Sequence, residues 1–493
     1  MGSRTSTVVS WIGAVVRARP NEPALVFDGE TWTYRELWSR SADLARDLLA
    51  GGLQPGDRVA IVGENESAYV STYMAILRAG GVAVPMNAML GPAAIGAQME
   101  FVGAKTIFVG RVKPEIREAL DGSYDVRDLR TAPVSAQGRL PTIGPSSGCS
   151  IMLTSGSTGQ PKGVVHTHES MLHGSMQVAS AFPFGPGERG VVFLPLYACI
   201  PEQVLPTLCT GGSLEILPGF DVERVADACT RATTFDAVPT VLRRLIEFAP
   251  LEKLSKLKWV LFASEVMPTG LLRRWWAELP DLQMHQLYGM TEALPLTAAP
   301  HWLLKAEPTT VGRAFPTTGL QVRNGATPAS DAGELVAVTP ARMKEYFNDR
   351  ETTTASLTGD GALRTGDLGR ISDDGLVFLT GRLKDIIISG GMNIAPAEIE
   401  AVAAAHQGVQ EVVVVGIPSD RWGETPVVVA VAKPGCGLRA DELLQFCRGN
   451  LVSFKRPSGA ALVSHLPIAG IGKVDKVAVK RMIENGELEL VHA

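Results

Sequence analysis

"MLTSGSTGQPKGVVHTH" (Met152–His168) is the stretch on which the reading of this chain turns. Glycine, serine and threonine crowd together and end on a lysine. Glycines let a backbone approach an anion without a Cβ in the way. Successive N–H groups form an anion nest, and the hydroxyls of Ser155, Ser157 and Thr158 add donors. The segment therefore reads as a phosphate cradle. It is not the loop of the P-loop nucleotide-binding proteins, in which four residues separate a glycine from Gly-Lys-Ser/Thr. Counted from Gly156, Pro161 stands where the second glycine belongs, and Gly163 follows Lys162.

Around the cradle, helical and extended patterns alternate. "TYRE" (Thr33–Glu36) is a capping box. Leu37, Leu44, Ala45 and Leu48 follow at helical spacing, and Gly51-Gly52 ends the helix. Strands are predicted at 58–62, 82–87, 190–196, 213–217, 259–263 and 284–288, with helices such as 67–81 and 240–248 between them. Such alternation predicts stacked β-α units with buried, mostly parallel strands. "GDLGRISDDGLVFLTGR" (Gly366–Arg382) predicts a hairpin turning at Asp373-Asp374-Gly375. After it the pattern resets into a compact α/β unit. The expected fold is thus α/β: a large N-terminal domain of stacked β-sheets with flanking helices and a small β subdomain (1–382), and a small mobile C-terminal α/β domain (383–493).

The bulk numbers exclude some classes. At roughly 100–200 residues per domain, 493 residues make two or more domains. A net charge of −5 gives no general affinity for nucleic acid or an anionic membrane. No apolar run reaches the ~20 residues of a membrane helix. "MGSRTS" fits the myristoylation pattern by letter, but that pattern is permissive and a plain N-terminus is the expectation. The six cysteines form no Cys-x-x-Cys pair and no zinc-ligand spacing, so buried free thiols in a reducing cytoplasm are expected.

The cradle has company. It resembles the phosphate loop of the adenylate-forming superfamily, which includes acyl- and aryl-CoA synthetases, peptide-synthetase adenylation domains and beetle luciferases. "YGMTEA" (Tyr288–Ala293), "RTGDLG" (Arg364–Gly369), "GRLKDIIISGGMNIAPAEIE" (Gly381–Glu400) and "GIGKVDK" (Gly470–Lys476) resemble further motifs of that superfamily, in its order. The resemblance implies activation of a carboxylic acid by ATP and Mg2+, with CoA as the probable co-substrate. It implies that Thr154, Ser155, Gly156, Ser157, Thr158 and Gly159 hold the β- and γ-phosphates. Lys162 either contacts phosphate or anchors the loop. Glu292 matches the Mg2+-associated glutamate, a hard oxygen ligand suited to that ion, and Thr291 the α-phosphate contact. Ser264, Glu265, Leu287, Tyr288 and Gly289 should border adenine. Asp367 matches the ribose-binding aspartate and Arg382 a second ribose contact. Lys473 matches the catalytic lysine, where a cation stabilises the transferring phosphoryl group. Lys384 occupies the hinge position, and Gly390 and Gly391 should face the CoA channel.

Departures from the family pattern fall on the acid pocket, for which Tyr197, Ala198, Val238, Ala263, Leu294 and His168 are the candidates. Ala198 stands where a histidine is common. Leu294 and Ala263-Ser264 stand where many relatives carry smaller residues, which shortens the pocket and favours a small or medium acid. His168 either lines a channel or packs. Asp236 in "FDAVP" (Phe235–Pro239) either meets an amino group of the substrate or is a strand-end aspartate. The leading expectation is an acid:CoA ligase, monomeric or homodimeric, with neither nucleic acid nor membrane as partner. Its alternatives are transfer to a separate carrier protein, nitrite activation as in a diazotase, and a catalytically silent nucleotide-binding scaffold.

Overall fold

A computed structural model describes residues 6–131, 137–155, 161–324, 327–328, 332–469 and 473–492. Its contacts divide the chain into two compact units, Met1–Leu320 with Ala337–Leu363, and Gln321–Val336 with Arg364–Ala493.

The first unit holds two large sheets. In the seven-stranded sheet, Gly148–Ser155 lies between Val82–Met86 and Pro161–Thr167, and Glu345–Tyr346 closes the edge beyond Pro161–Thr167. In the nine-stranded sheet, Arg189–Val192, Thr234–Ala237, Trp259–Phe262 and Gln283–Met290 run parallel in adjacent positions. The N-terminal hairpin Pro23–Phe27/Glu30–Thr33 completes the far edge. One core joins the sheets: Val59 and Ile61 from one and Leu25, Leu214 and Ile216 from the other share it with Tyr69, Tyr73 and Leu77. Those three belong to helix Ser67–Arg78, which is buried on nearly every side, as expected for a helix apolar all round.

Local signals act as expected. Thr33 caps helix Tyr34–Ala50, and Glu36 returns a bond to the Thr33 N–H. The hairpin of Leu363–Ile371 and Val377–Arg382 turns through Gly375, at φ +82°. This hairpin belongs to a five-stranded sheet with Thr327–Pro328, Gly319–Asn324 and Gly333–Val338. By contacts, this hairpin groups with the second unit from Arg364 onward. Strand pairing ties Arg364–Arg382 to Gly333–Val336, a bond that a change of residue pattern along the chain does not register.

The rest of the second unit is a sheet centred on Gly423–Ala432, which pairs with Val409–Ser419 and Gly459–Val463. Apolar clusters cover both its faces. All six cysteines are free. Five are buried as expected, but Cys436 is exposed because it sits in a surface turn, with its thiol donating to the Gly408 carbonyl at 3.4 Å.

Candidate active site

Parallel strands end together, and ligands of open α/β sheets bind outside their carboxyl ends. Arg189–Val192 runs into Tyr197 and Ala198, Thr234–Ala237 into Val238, Trp259–Phe262 into Ala263 and Ser264, and Gln283–Met290 carries Leu287, Tyr288 and Gly289. Candidate acid-pocket and adenine residues thus gather at one edge of the nine-stranded sheet. Asn65 fixes the first of these loops from both sides, donating to the Leu194 carbonyl at 2.9 Å and accepting from the Leu196 N–H at 2.8 Å.

The phosphate candidates sit on the other sheet. Thr154 and Lys162 are directly paired across Gly148–Ser155 and Pro161–Thr167. Gly156, Ser157, Thr158 and Gly159 lie outside the described residues, as does the side chain of Ser155. Two side chains that sequence reasoning missed tie this strand pair to the Thr291–Glu292 segment. Tyr346 donates its hydroxyl to Glu292 Oε1 at 2.7 Å, and Lys162 Nζ lies 5.2 Å from the centre of the Tyr346 ring. Burial, then the Glu292 charge, pushes the Tyr346 phenol up, so it stays protonated and stays a donor. His166 Nε2 is 2.7 Å from the Thr291 carbonyl, and its Nδ1 is 3.0 Å from Ser170 Oγ. A carbonyl only accepts, so Nε2 carries the proton and Nδ1 accepts from Ser170. Burial holds this imidazole neutral, at about 4. His166 stands two residues before His168 in the opening segment, yet its partner is 125 positions away and nothing local announces it.

Leu294 is fully buried and adopts φ +55°, in the left-handed region that a leucine seldom enters. Its side chain lies against Gly174 of helix His168–Ala181, where a Cβ would come within 2.4 Å of Leu294 Cδ1. Gly289 is equally constrained, since a Cβ there would meet the Leu294 carbonyl at 2.1 Å. His168 is buried, and neither of its ring nitrogens has a hydrogen-bond partner among the described residues. Leu287 turns its side chain into a core cluster with Trp259 and Phe315. Glu265 accepts from the Thr240 N–H and hydroxyl at 3.3 and 2.8 Å. Ser264 is exposed at φ +75°.

The second unit carries the remaining candidates. Asp367 is buried and paired in register with Arg382, whose Nε lies 2.9 Å from Asp367 Oδ1. Lys384 is exposed in the single turn Leu383–Asp385. Gly390 (φ +57°) and Gly391 (φ +81°) form the two-residue turn between Ile387–Ser389 and Met392–Ile394, which requires positive φ at both positions. Lys473 opens the short strand Lys473–Val474, opposite Ala469. Among the described residues no cluster of three or more metal-ligating side chains exists. Mg2+ commonly takes one or two carboxylates and otherwise phosphate oxygens, a demand that the single Glu292 carboxylate fits.

Comparison with known proteins identifies the family. The profile of the AMP-binding enzyme family matches residues 13–347, and that of the AMP-binding enzyme C-terminal domain matches residues 398–473. A feruloyl-CoA synthase of Amycolatopsis sp. is 34% identical over 490 residues, 97% of this chain and 99% of that protein. The long-chain-fatty-acid–CoA ligase FadD13 of Mycobacterium tuberculosis is 30% identical, over 91% of this chain and 92% of that one. ATP-bound MatB from Rhodopseudomonas palustris superposes with a TM-score of 0.87 at 27% identity, covering 98% of this chain and 99% of that one. The two family matches, together with relatives aligned over nearly their full length, establish that this chain belongs to the AMP-binding enzyme family.

Proposed function

We propose that this chain is an ATP-dependent, AMP-forming acid:CoA ligase. A carboxylate oxygen attacks the α-phosphorus of ATP, the bond to the β-phosphate bridging oxygen breaks, and pyrophosphate leaves. The CoA sulfur then attacks the acyl carbon, AMP leaves, and the thiol proton goes to solvent. Both reactants of the first step are anions, so positioning and charge compensation dominate its barrier.

The observation that carries the reading is the link from Thr154–Lys162 through Tyr346 to Glu292. It fixes a cation and a carboxylate beside the strand pair that bears the phosphate loop. Glu292 is the residue proposed to meet Mg2+, with the ion supplying charge compensation on the phosphates, and Thr291 to meet the α-phosphate. Val238, Ala263, Ala198, Tyr197 and His168 are proposed to shape the acid pocket. On the second unit, Asp367 and Arg382 are proposed for the ribose, Lys473 for the α-phosphate and acid, Gly390-Gly391 for the CoA channel, and Lys384 as the pivot between steps. Leu294, packed on Gly174, supports a short pocket and a small or medium acid. The likeness to a feruloyl-CoA synthase adds cinnamates to the acids worth trying.

The test is an ATP–pyrophosphate exchange screen over acetate to decanoate, benzoates, cinnamates and amino-substituted acids, followed by mass detection of the CoA thioester. At least one acid should support exchange and yield a thioester. Silence across the panel removes the enzyme reading, and exchange without a thioester removes CoA as acceptor.

A further inference from the structure

We propose that Asp236 receives an amino group carried on the acyl part of the acid, so that the substrate is an amino-substituted carboxylic acid. This deepens, and rests on, the acid:CoA ligase reading. Asp236 lies in the inner strand Thr234–Ala237, flanked by Arg189–Val192 and Trp259–Phe262. It is 7% exposed, and its Oδ1 is buried with no hydrogen-bond partner among the described residues. A buried carboxylate oxygen left unmatched is costly, and native structures rarely tolerate one without a use for it.

The direction of the side chain follows from the pleat. Residues alternate between faces, so Asp236 shares a face with Val238, the candidate pocket residue at the strand's end. Phe235 points to the opposite face, where it packs on Phe193. Near Asp236 lies the segment that follows Tyr197 and Ala198. Glu202 in that segment acts on Asp236, and both carboxylates act on the buried Cys199 thiol. Burial, then the Glu202 charge, holds the Asp236 carboxyl well above the usual range. The phenols of Tyr69 and Tyr197 are also near Cys199. Every one of these titratable groups is an acid.

A purely structural aspartate spends its oxygens on neighbouring donors. Glu265 does so on Thr240, and Glu215 takes the Arg231 Nε at 2.9 Å. Asp236 Oδ1 does neither. An amine supplies what the cluster lacks: several N–H donors, and in an alkyl ammonium a compensating charge. A hydroxyl brings one donor and no charge.

Non-hydrolysable acyl-sulfamoyl adenosines test this by titration calorimetry on the full chain. The pairs are 3-aminobutanoyl against butanoyl and 3-aminobenzoyl against benzoyl; which pair responds tells an alkyl ammonium from an aryl amine. One amino compound should bind about 30-fold tighter than its amine-free partner, in line with a buried charge-assisted bond. Asp236→Asn, of equal size, should narrow that ratio to within threefold. If that variant does not fold, Asp236→Ala is read in its place and should also reduce the ratio. Equal affinities within both pairs, or a preference unchanged by the substitution, overturn the proposal. Brisk exchange with amine-free acids alongside equal affinities sinks this assignment and leaves the ligase intact. Absence of exchange with every acid, amino acids included, sinks the ligase reading itself.

Discussion

Tyr346 and Glu292 are 54 positions apart, and a single 2.7 Å hydrogen bond joins them. Removing the hydroxyl costs little packing but releases the carboxylate proposed to meet Mg2+. Tyr346→Phe should therefore lower exchange about tenfold and raise the Mg2+ concentration needed for half-maximal rate. Its melting temperature should stay within a few degrees of the parent's. An unchanged Mg2+ requirement would show that the hydroxyl does not orient Glu292. A second residue-scale prediction concerns His166, His168 and His285, all buried and each held at about 4. The unfolded chain takes up a proton near 6.5 and the folded chain does not. Stability is therefore complete above about 6.5 and declines as pH falls toward 4, by about 2 kcal/mol per histidine at pH 5. The raised carboxyl of Asp236 works in the opposite sense, so the comparison is between variant and parent. His168→Leu, which removes a ring with no hydrogen-bond partner among the described residues, should lose less melting temperature than the parent between pH 7 and pH 5. Parallel losses would refute the neutral-histidine account.

At the scale of elements, helix His168–Ala181 packs against strand Leu294–Ala299, with Gly174 facing Leu294. Gly174→Ala places a methyl group on Leu294 and should cost about 1–3 kcal/mol. Leu294→Gly relieves the positive φ but opens a cavity, and should extend exchange toward longer acids. In the double variant the new methyl has room, so the costs should fall short of additive by on the order of 1 kcal/mol, measured by denaturant unfolding. Additive costs would mean that the two side chains do not oppose each other. Element identities were largely legible in the sequence, because burial writes a period and caps write a start: Thr33 and Glu36 announced a helix that forms as expected. The predicted strand at 190–196 is shorter, Arg189–Val192, because Pro195 cannot donate to the ladder and a helix begins at Leu196. Sheet order was not legible. That an N-terminal hairpin completes the edge beside Ser213–Ile216 depends on contacts nearly two hundred positions apart, which leave no local pattern.

Across the whole molecule the candidate residues fall on both units, with Glu292, Thr291 and Lys162 on the first and Asp367, Arg382 and Lys473 on the second. The motifs were legible because each is a short run of adjacent residues, and together they mark the family the chain belongs to. Their supports were not, since Tyr346 and His166 act through distance. Lys473→Ala should cut exchange at least a hundredfold while the unfolding midpoint stays within experimental error. Normal exchange would remove Lys473 from the chemistry. Lys384→Pro should depress thioester formation more than exchange, and equal losses would argue against a pivot there.

Cys436 lies on the second unit with its thiol at the surface, while the other five are enclosed. Burial pushes Cys149, Cys209 and Cys229 to about 12, which suppresses their nucleophilic thiolates. A maleimide fluorophore should thus attach once to the native chain and, after denaturation, at all six positions. Without any substitution, the protein offers a single address for a dye on the unit that bears Lys473. Fluorescence from that position can then follow, in real time, what the second unit does as ATP, acid and CoA are added in turn.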